Sequence, residues 1–240
     1  MKYSDLRFAF VQLVYGDHNR SRAVRTALGK CIEDLGKEEI GLNVGAGTTI
    51  LDPRLRNLDI FPGEHIDYVG KAEDIPTEDG KFNLVVTQEC LEHVADPFKA
   101  VEEIHRVLKK DGKLFIQLPF IIGYHPGPTD FWRFTKEGIR ELVERAGFKV
   151  QEIGITVGPS SGFYRIAVEY FAVLFSLPLS KLYVPFKALL AVLFYPMKWL
   201  DPLLNRSSQV DRVPGGYFII AVKTSDSPDR QLNEARDNHL

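Results

Sequence analysis

Apolar and polar positions along the 240-residue chain follow two periods in turn. Ala23, Val24, Ala27, Leu28, Cys31, Ile32 and Leu35 recur at helical spacing, with Arg22, Arg25, Lys30 and Asp34 off that face. Gly36 supplies the stop. Short apolar runs then read as strands: Ile40–Val44 ending in Gly45-Ala46-Gly47, Leu55–Ile60, a brief Tyr68-Val69, and Phe82–Thr87. Asp96-Pro97 predicts a helix start, because Asp caps free amides and Pro is pre-set for the first turn. Ala100, Val101, Ile104, Val107 and Leu108 form that helix's inner face, and Lys109 and Lys110 suit its negative end. Asp111-Gly112 turns into a strand over Lys113–Leu118. Thr135 caps a helix carrying Ile139, Leu142, Val143 and Ala146, which Gly147 stops. Phe148–Ile153 and Gly216–Val222 read as the last two strands. Strands alternating with helices predict an α/β fold, a parallel sheet with helices on both faces.

One stretch breaks the pattern. Residues 163–204 hold ten of the 27 aromatic side chains and six charged ones, chopped by Pro178, Pro185, Pro196 and Pro202 into short helices. The longest uncharged piece, Tyr170–Ser180, is too short to span a bilayer. Lys181, Lys187 and Lys198 beside Tyr183, Phe186, Tyr195 and Trp199 match the mix of cations and amphipathic aromatics found at membrane surfaces. A substrate lid and a homodimer contact are the other two uses for such a surface. The apolar Phe8–Tyr15 is interrupted by Gln12 and followed by Asp17-His18-Asn19-Arg20, so neither a signal peptide nor a membrane span is expected.

Composition narrows the classes. Thirty basic against 32 acidic residues give a net charge of −2, which offers no global field for nucleic acid. Cys31 and Cys90 form no Cys/His cluster, so neither zinc nor a disulfide framework is expected, and a cytoplasmic setting follows.

A Gly-x-Gly turn after an apolar strand lets backbone approach a ligand and presents amides to it. A dinucleotide fold would continue to a third glycine and an acid about 20 residues on. Here Ile50 takes the third position and Asp59 lies 12 residues past Gly47, ending the second strand. There its carboxylate is placed to accept both hydroxyls of a ribose, which favours a nucleoside ligand without a pyrophosphate.

The blocks Leu42-Asn43-Val44-Gly45-Ala46-Gly47, Asn57-Leu58-Asp59-Ile60, Gly70-Lys71-Ala72-Glu73-Asp74-Ile75-Pro76, Phe82–Val86, Leu91-Glu92-His93-Val94 and Glu103–Gly112 stand in order over about residues 38–155. In that order they resemble the class I S-adenosylmethionine-dependent methyltransferases of the type 11 group, whose Rossmann-like sheet is thereby expected. The resemblance implies that Gly45, Ala46 and Gly47 pass beneath the methionine part of S-adenosylmethionine. It places Asp59 on the ribose, Ile60 on the adenine, Ala72 and Glu73 at the adenine edge, and Gln88 near the sulfonium. Asn43 counts with this set but stands where many members have an acid, and Lys71 where many have an Asp. Cys90 reads as a packing residue, and Glu102, Glu103, Lys109 and Lys110 as a solvated helix face.

A second run, Pro119 to Thr135, joins strand and helix through about 17 residues where 2–6 is usual. It contains His125-Pro126-Gly127-Pro128-Thr129-Asp130-Phe131-Trp132-Arg133-Phe134 and resembles bacterial methyltransferases associated with cell-surface glycan synthesis. His125 is the first candidate for general base and His93 the second. Asp130 would orient the base, while Tyr124, Trp132 and Arg133 would bind the acceptor. The structural alternative pairs Asp130 with Arg133 as a loop brace and packs Trp132 and Phe134 on the sheet.

The expected organisation is an N-terminal helical cap over 1–37, a cofactor-binding core over 38–160, a hydrophobic helical insertion over 161–211, a last core strand over 212–223 and a flexible tail over 224–240. The expected activity is O-methylation of a glycan or lipid-linked glycan at the inner membrane face. Methyl transfer to a lipid or quinone and a non-catalytic binding module are the alternatives. The expected partner is a glycan or amphiphilic small-molecule acceptor, with peripheral membrane contact or a homodimer through the insertion.

Overall fold

The computed structural model describes Asn19 and residues 21–224. Phe8–Tyr15, most of the 1–37 cap and nearly all of the 224–240 tail lie outside the described residues. The chain falls into two compact units. One takes Pro119–His125 and Ile155–Tyr217 with the described residues up to Arg25. The other takes Thr26–Leu118, Pro126–Gly154 and the chain from Phe218.

The second unit is built around a seven-stranded sheet. Its strands are β1 (Gly41–Val44), β2 (Leu55–Asp59), β3 (Tyr68–Val69), β4 (Phe82–Gln88), β5 (Leu108–Pro119), β6 (Phe148–Ile155) and β7 (Gly216–Lys223), in the order β3-β2-β1-β4-β5-β7-β6. β3, β2, β1, β4 and β5 pair in parallel. The reversal of strand order beside β1 puts the carboxyl ends of β1, β2 and β4 together, where ligands of open α/β sheets bind. The helices are α1 (Arg22–Glu33), α2 (Pro97–Val107) and α3 (Lys136–Glu144). Leu42, Val44, Phe82, Val85, Ile104, Leu114, Ile139 and Phe148 lie in one buried core.

The caps form where their chemistry puts them. Asp96 accepts from Lys99 N at 3.0 Å and Thr135 Oγ1 from Gly138 N at 3.0 Å. Two expectations change. α2 ends at Val107, and the backbone turns extended at Leu108, which is fully buried and paired with Phe82. Lys109 and Lys110 therefore belong to β5, not to a helix end. Glu103 is buried rather than solvated: it holds Ile75 N at 3.1 Å and Arg106, which also bonds Ile75 O, Thr77 O and Asp79. This clamp fixes the loop that carries Ala72 and Glu73.

The first unit contains α4 (Pro159–Ser176), α5 (Tyr183–Phe194) and the one-turn α6 (Asp201–Leu204). α4 is the longest of these helices, because Pro159 starts it and no further proline occurs before Pro178. Asp201, buried, accepts from Ser160 N, Ser161 N and Ser161 Oγ at 2.8, 3.2 and 2.6 Å, and so caps α4. Tyr164, Val168 and Ala172 pack on Leu190 and Ala191 of α5, with Tyr164 Oη donating to Ala191 O at 2.9 Å. No helix among the described residues is long and apolar enough to cross a membrane.

Candidate active site

At the carboxyl edge of the sheet the chain leaves β1 through Gly45-Ala46-Gly47. Gly45 and Gly47 have φ of +72° and +54°, a region L side chains rarely enter. A Cβ on Gly45 would also lie 2.3 Å from Cys90 Sγ, so the turn needs glycine there twice over. Leu58 O accepts from the amides of Gly45 and Ala46 at 2.9 and 3.1 Å. Asp59 Oδ2 accepts from Gly47 N at 2.8 Å, and its Oδ1 from Phe61 N at 3.0 Å. The carboxylate is thus held rigidly by two amides, and each oxygen keeps a second lone pair.

This turn opens onto a cavity of about 510 Å³, the size range of a cofactor site. Of the residues expected to hold cofactor, Gly45, Gly47, Asp59, Ile60, Ala72 and Glu73 line it, and so does His93. Ala46 sits inside the turn. Asn43 lies beneath it, buried, donating to Asn57 Oδ1 at 3.1 Å and Thr49 O at 3.4 Å across the β1–β2 register. Gln88 donates to Gln117 Oε1 at 2.8 Å, and Gln117 Nε2 in turn donates to Glu89 at 3.2 Å. The wall position past β4 belongs to Glu89, whose φ of +51° is strained for a non-glycine. Sequence reasoning missed Glu89 by one residue. The apolar strand before it marks this edge in the sequence, but not which of Gln88 and Glu89 faces the cavity.

Cys90 also lines the cavity, and burial pushes its thiol up to about 12, so it is a packing group and no nucleophile. Beside it the single turn Leu91–His93 carries the fully buried Glu92. Burial first, and the Glu89 carboxylate second, push the Glu92 carboxyl well above the ordinary range. His93 Nε2 lies 3.5 Å from Glu92 Oε1, and its Nδ1 bonds Thr129 O.

The long connection after β5 divides between the units. Residues from Gly127 onward dock on the Leu91–His93 turn: Phe131 N and Trp132 N donate to Glu92 O at 2.8 and 3.2 Å, and Thr129 Oγ1 to His93 O at 3.0 Å. Trp132 Nε1 donates to Val94 O at 3.0 Å, and its ring stacks on Phe134 with centroids 6.2 Å apart. Arg133 grips Asp130 with two bonds of 2.5 and 2.6 Å. Those pairings favour a brace over acceptor binding for Trp132 and Arg133, and over orienting a base for Asp130. Thr129 and Phe131 line the cavity instead, which the sequence left unmarked. In the other unit, Tyr124 is 76% exposed and His125, half-buried, has Nδ1 3.3 Å from Gly123 O.

Residues 39–116 match the methyltransferase domain family. The core has the class I methyltransferase fold. A Haemonchus contortus phosphoethanolamine N-methyltransferase, bound to phosphomonomethylethanolamine and S-adenosylhomocysteine, aligns with a TM-score of 0.53 at 15% identity, covering 93% of this chain and 59% of that one. The YcgJ protein of Bacillus subtilis aligns at 0.50 with 16% identity, covering 84% and 100%. Among curated relatives, a probable S-adenosylmethionine-dependent methyltransferase of Mycolicibacterium smegmatis is 28% identical over 127 residues, 50% of this chain and 47% of its own. The chain thus spans about half the length of that relative. A ubiquinone biosynthesis O-methyltransferase of Pseudomonas aeruginosa is 26% identical over 163 residues, 58% and 68% of the two chains.

The cavity suits S-adenosylmethionine. Asp59, Glu73 and Glu89 put three carboxylates on a wall whose one lysine or arginine is Lys71, a balance suited to a cationic sulfonium ligand. The amide-braced Asp59 presents paired acceptors, as a ribose diol requires.

Proposed function

We propose that the chain O-methylates a glycan or lipid-linked glycan at a membrane surface, using S-adenosylmethionine. The observation that carries the methyl-transfer reading is the cavity joining the Gly45–Gly47 turn, Asp59 and His93 at the carboxyl ends of β1, β2 and β4. Bound S-adenosylmethionine supplies a methyl group already activated on sulfur, so the protein's work is positioning and proton removal. Asp59 and the two glycines anchor the nucleoside end, with Ile60 and Phe61 as apolar cover and Ala72 and Glu73 at the far edge. Glu89 supplies the negative charge that Asn43 and Lys71 do not.

A sugar hydroxyl is a poor nucleophile and needs a base. His93 lines the cavity, and its bond from Nδ1 to Thr129 O favours the tautomer with the proton on Nδ1. Nε2 is then the basic nitrogen, and it lies beside Glu92. This reading moves the base from His125, the first choice in the sequence, to His93. Turnover decides it: His93→Ala should lower turnover about 10²- to 10⁴-fold with S-adenosylhomocysteine affinity held within a few-fold. A larger loss in His125→Ala would return the role to His125.

A second reading, a quinone or lipid acceptor, is favoured by the kinship to proteins named as ubiquinone biosynthesis O-methyltransferases. Offering purified lipid-linked glycan and a short-chain hydroxyquinol in parallel separates the two.

A further inference from the structure

The first unit carries an outer face that its own packing leaves uncovered. α4 turns Tyr164, Val168 and Ala172 inward, while Phe163, Ile166, Tyr170, Val173, Leu174 and Leu177 follow at helical spacing on the exposed side. The last five of these line a shallow apolar groove. The turn into α5 exposes Leu179, Leu182 and Val184, and α5 exposes Leu189, Val192 and Leu193. Eighteen of the 25 exposed large hydrophobic side chains among the described residues lie between Phe163 and Val213. A concentration of that size marks an interaction surface.

Charge says which kind. Between Pro159 and Val213 there are six basic residues, Arg165, Lys181, Lys187, Lys198, Arg206 and Arg212, against Glu169, Asp201 and Asp211. Asp201 is buried as the cap of α4, and Glu169 is paired with Lys187. The segment is therefore net positive in a chain of net charge −2. Lys181 sits in the α4–α5 turn among the exposed leucines, and Trp199, 72% exposed, follows Lys198. Facing a second copy, this surface would set like charge against like. Facing an anionic bilayer, it matches both the headgroups and the acyl boundary.

We propose that the α4–α5 hairpin and the residues up to Val213 dock the protein on an anionic lipid surface. Leu177 and Val184 enter the acyl boundary, and Lys181 and Trp199 lie at headgroup level. The docking stands on this surface alone and holds whichever acceptor the core methylates.

The test uses the full-length chain with vesicles of phosphatidylcholine alone and of equal parts phosphatidylcholine and phosphatidylserine. Sedimentation with the mixed vesicles is expected, weakened but not abolished by high salt, together with a blue shift of tryptophan emission. Leu177→Asp with Val184→Asp, both at positions more than 70% exposed, should keep the folded circular dichroism spectrum and lose at least about tenfold in vesicle affinity. Lys181→Glu should lose about fivefold or more on mixed vesicles only. The proposal is overturned by an absence of binding to either vesicle, by equal binding to both with no effect of Lys181→Glu, or by a lipid-independent dimer that the Leu177→Asp, Val184→Asp pair dissociates. S-adenosylhomocysteine binding, measured on the same samples, reports on the core separately, so failure here leaves the methyl-transfer reading intact.

Discussion

At the scale of single residues, Asp59 carries the most specific assignment. Its two oxygens already hold Gly47 N and Phe61 N, so it is fixed before any ligand arrives. Asp59→Ala should cost about 1.5–3 kcal/mol of charge-assisted hydrogen bonding, or roughly 10- to 100-fold in S-adenosylhomocysteine affinity by calorimetry. An unchanged affinity in the folded variant would refute the ribose role. Two other residues tie stability to pH in opposite senses. Burial and Glu89 raise the folded pKa of Glu92, so the unfolded chain releases its proton first and Glu92's contribution to stability declines as pH rises from about 4.5 upward. Burial lowers His105 from 6.5 to about 4, so its contribution is lost as pH falls through that window. Denaturant midpoints across pH 4–9 should therefore fall more steeply on the alkaline side in the parent than in Glu92→Gln. Parallel curves would show that Glu92 titrates normally. Asp59 was legible in the sequence because it ends an apolar strand 12 residues past a glycine turn. Glu89 was not, since only the left-handed backbone after β4 turns it, rather than Gln88, onto the cavity.

At the scale of elements, local chemistry was read well and register less so. The caps at Asp96 and Thr135 need only neighbouring residues, and both form as their spacing predicts. The boundary between α2 and β5 depends on where Leu108 is buried against Phe82, a contact 26 positions away in sequence that no local pattern contains. Glu103 has the same origin. A helix position that looks solvated becomes buried because the loop 70–80 folds over it, and Arg106 completes the latch with bonds to Glu103, Asp79, Ile75 O and Thr77 O. Arg106→Ala should lower stability by about 2–3 kcal/mol, less than for a fully buried pair because its side chain is 29% exposed. It should also weaken S-adenosylhomocysteine binding, since Ala72 and Glu73 ride on the released loop. Loss of stability with full cofactor affinity would separate the latch from the site.

At the scale of the whole molecule, the α/β core was legible because six blocks in fixed order constrain a topology that each alone leaves open. The loop after β5 was legible as unusual, and less so in its work: Asp130 is expected to orient a base and Trp132 and Arg133 to bind an acceptor, whereas their observed partners are those of the alternative, a loop brace. In the insertion the prolines do break the chain into separate pieces, Pro159–Ser176, Tyr183–Phe194 and Asp201–Leu204 among them, and the first runs to 18 residues because no proline follows Pro159 until Pro178. One unit carries a cavity walled by carboxylates, suited to a cationic ligand, and the other an exposed apolar surface with a net positive charge. The most direct measurement supplies S-adenosylmethionine with a tritiated methyl group and purified lipid-linked glycan to the full-length protein. The account predicts label in the glycan fraction as an alkali-stable methyl ether, reduced in Asp59→Ala at S-adenosylmethionine concentrations that do not saturate the variant and sharply reduced in His93→Ala at any concentration. Label that appears only in a quinol or lipid offered alongside, or none in any acceptor from protein that binds S-adenosylhomocysteine, would contradict it.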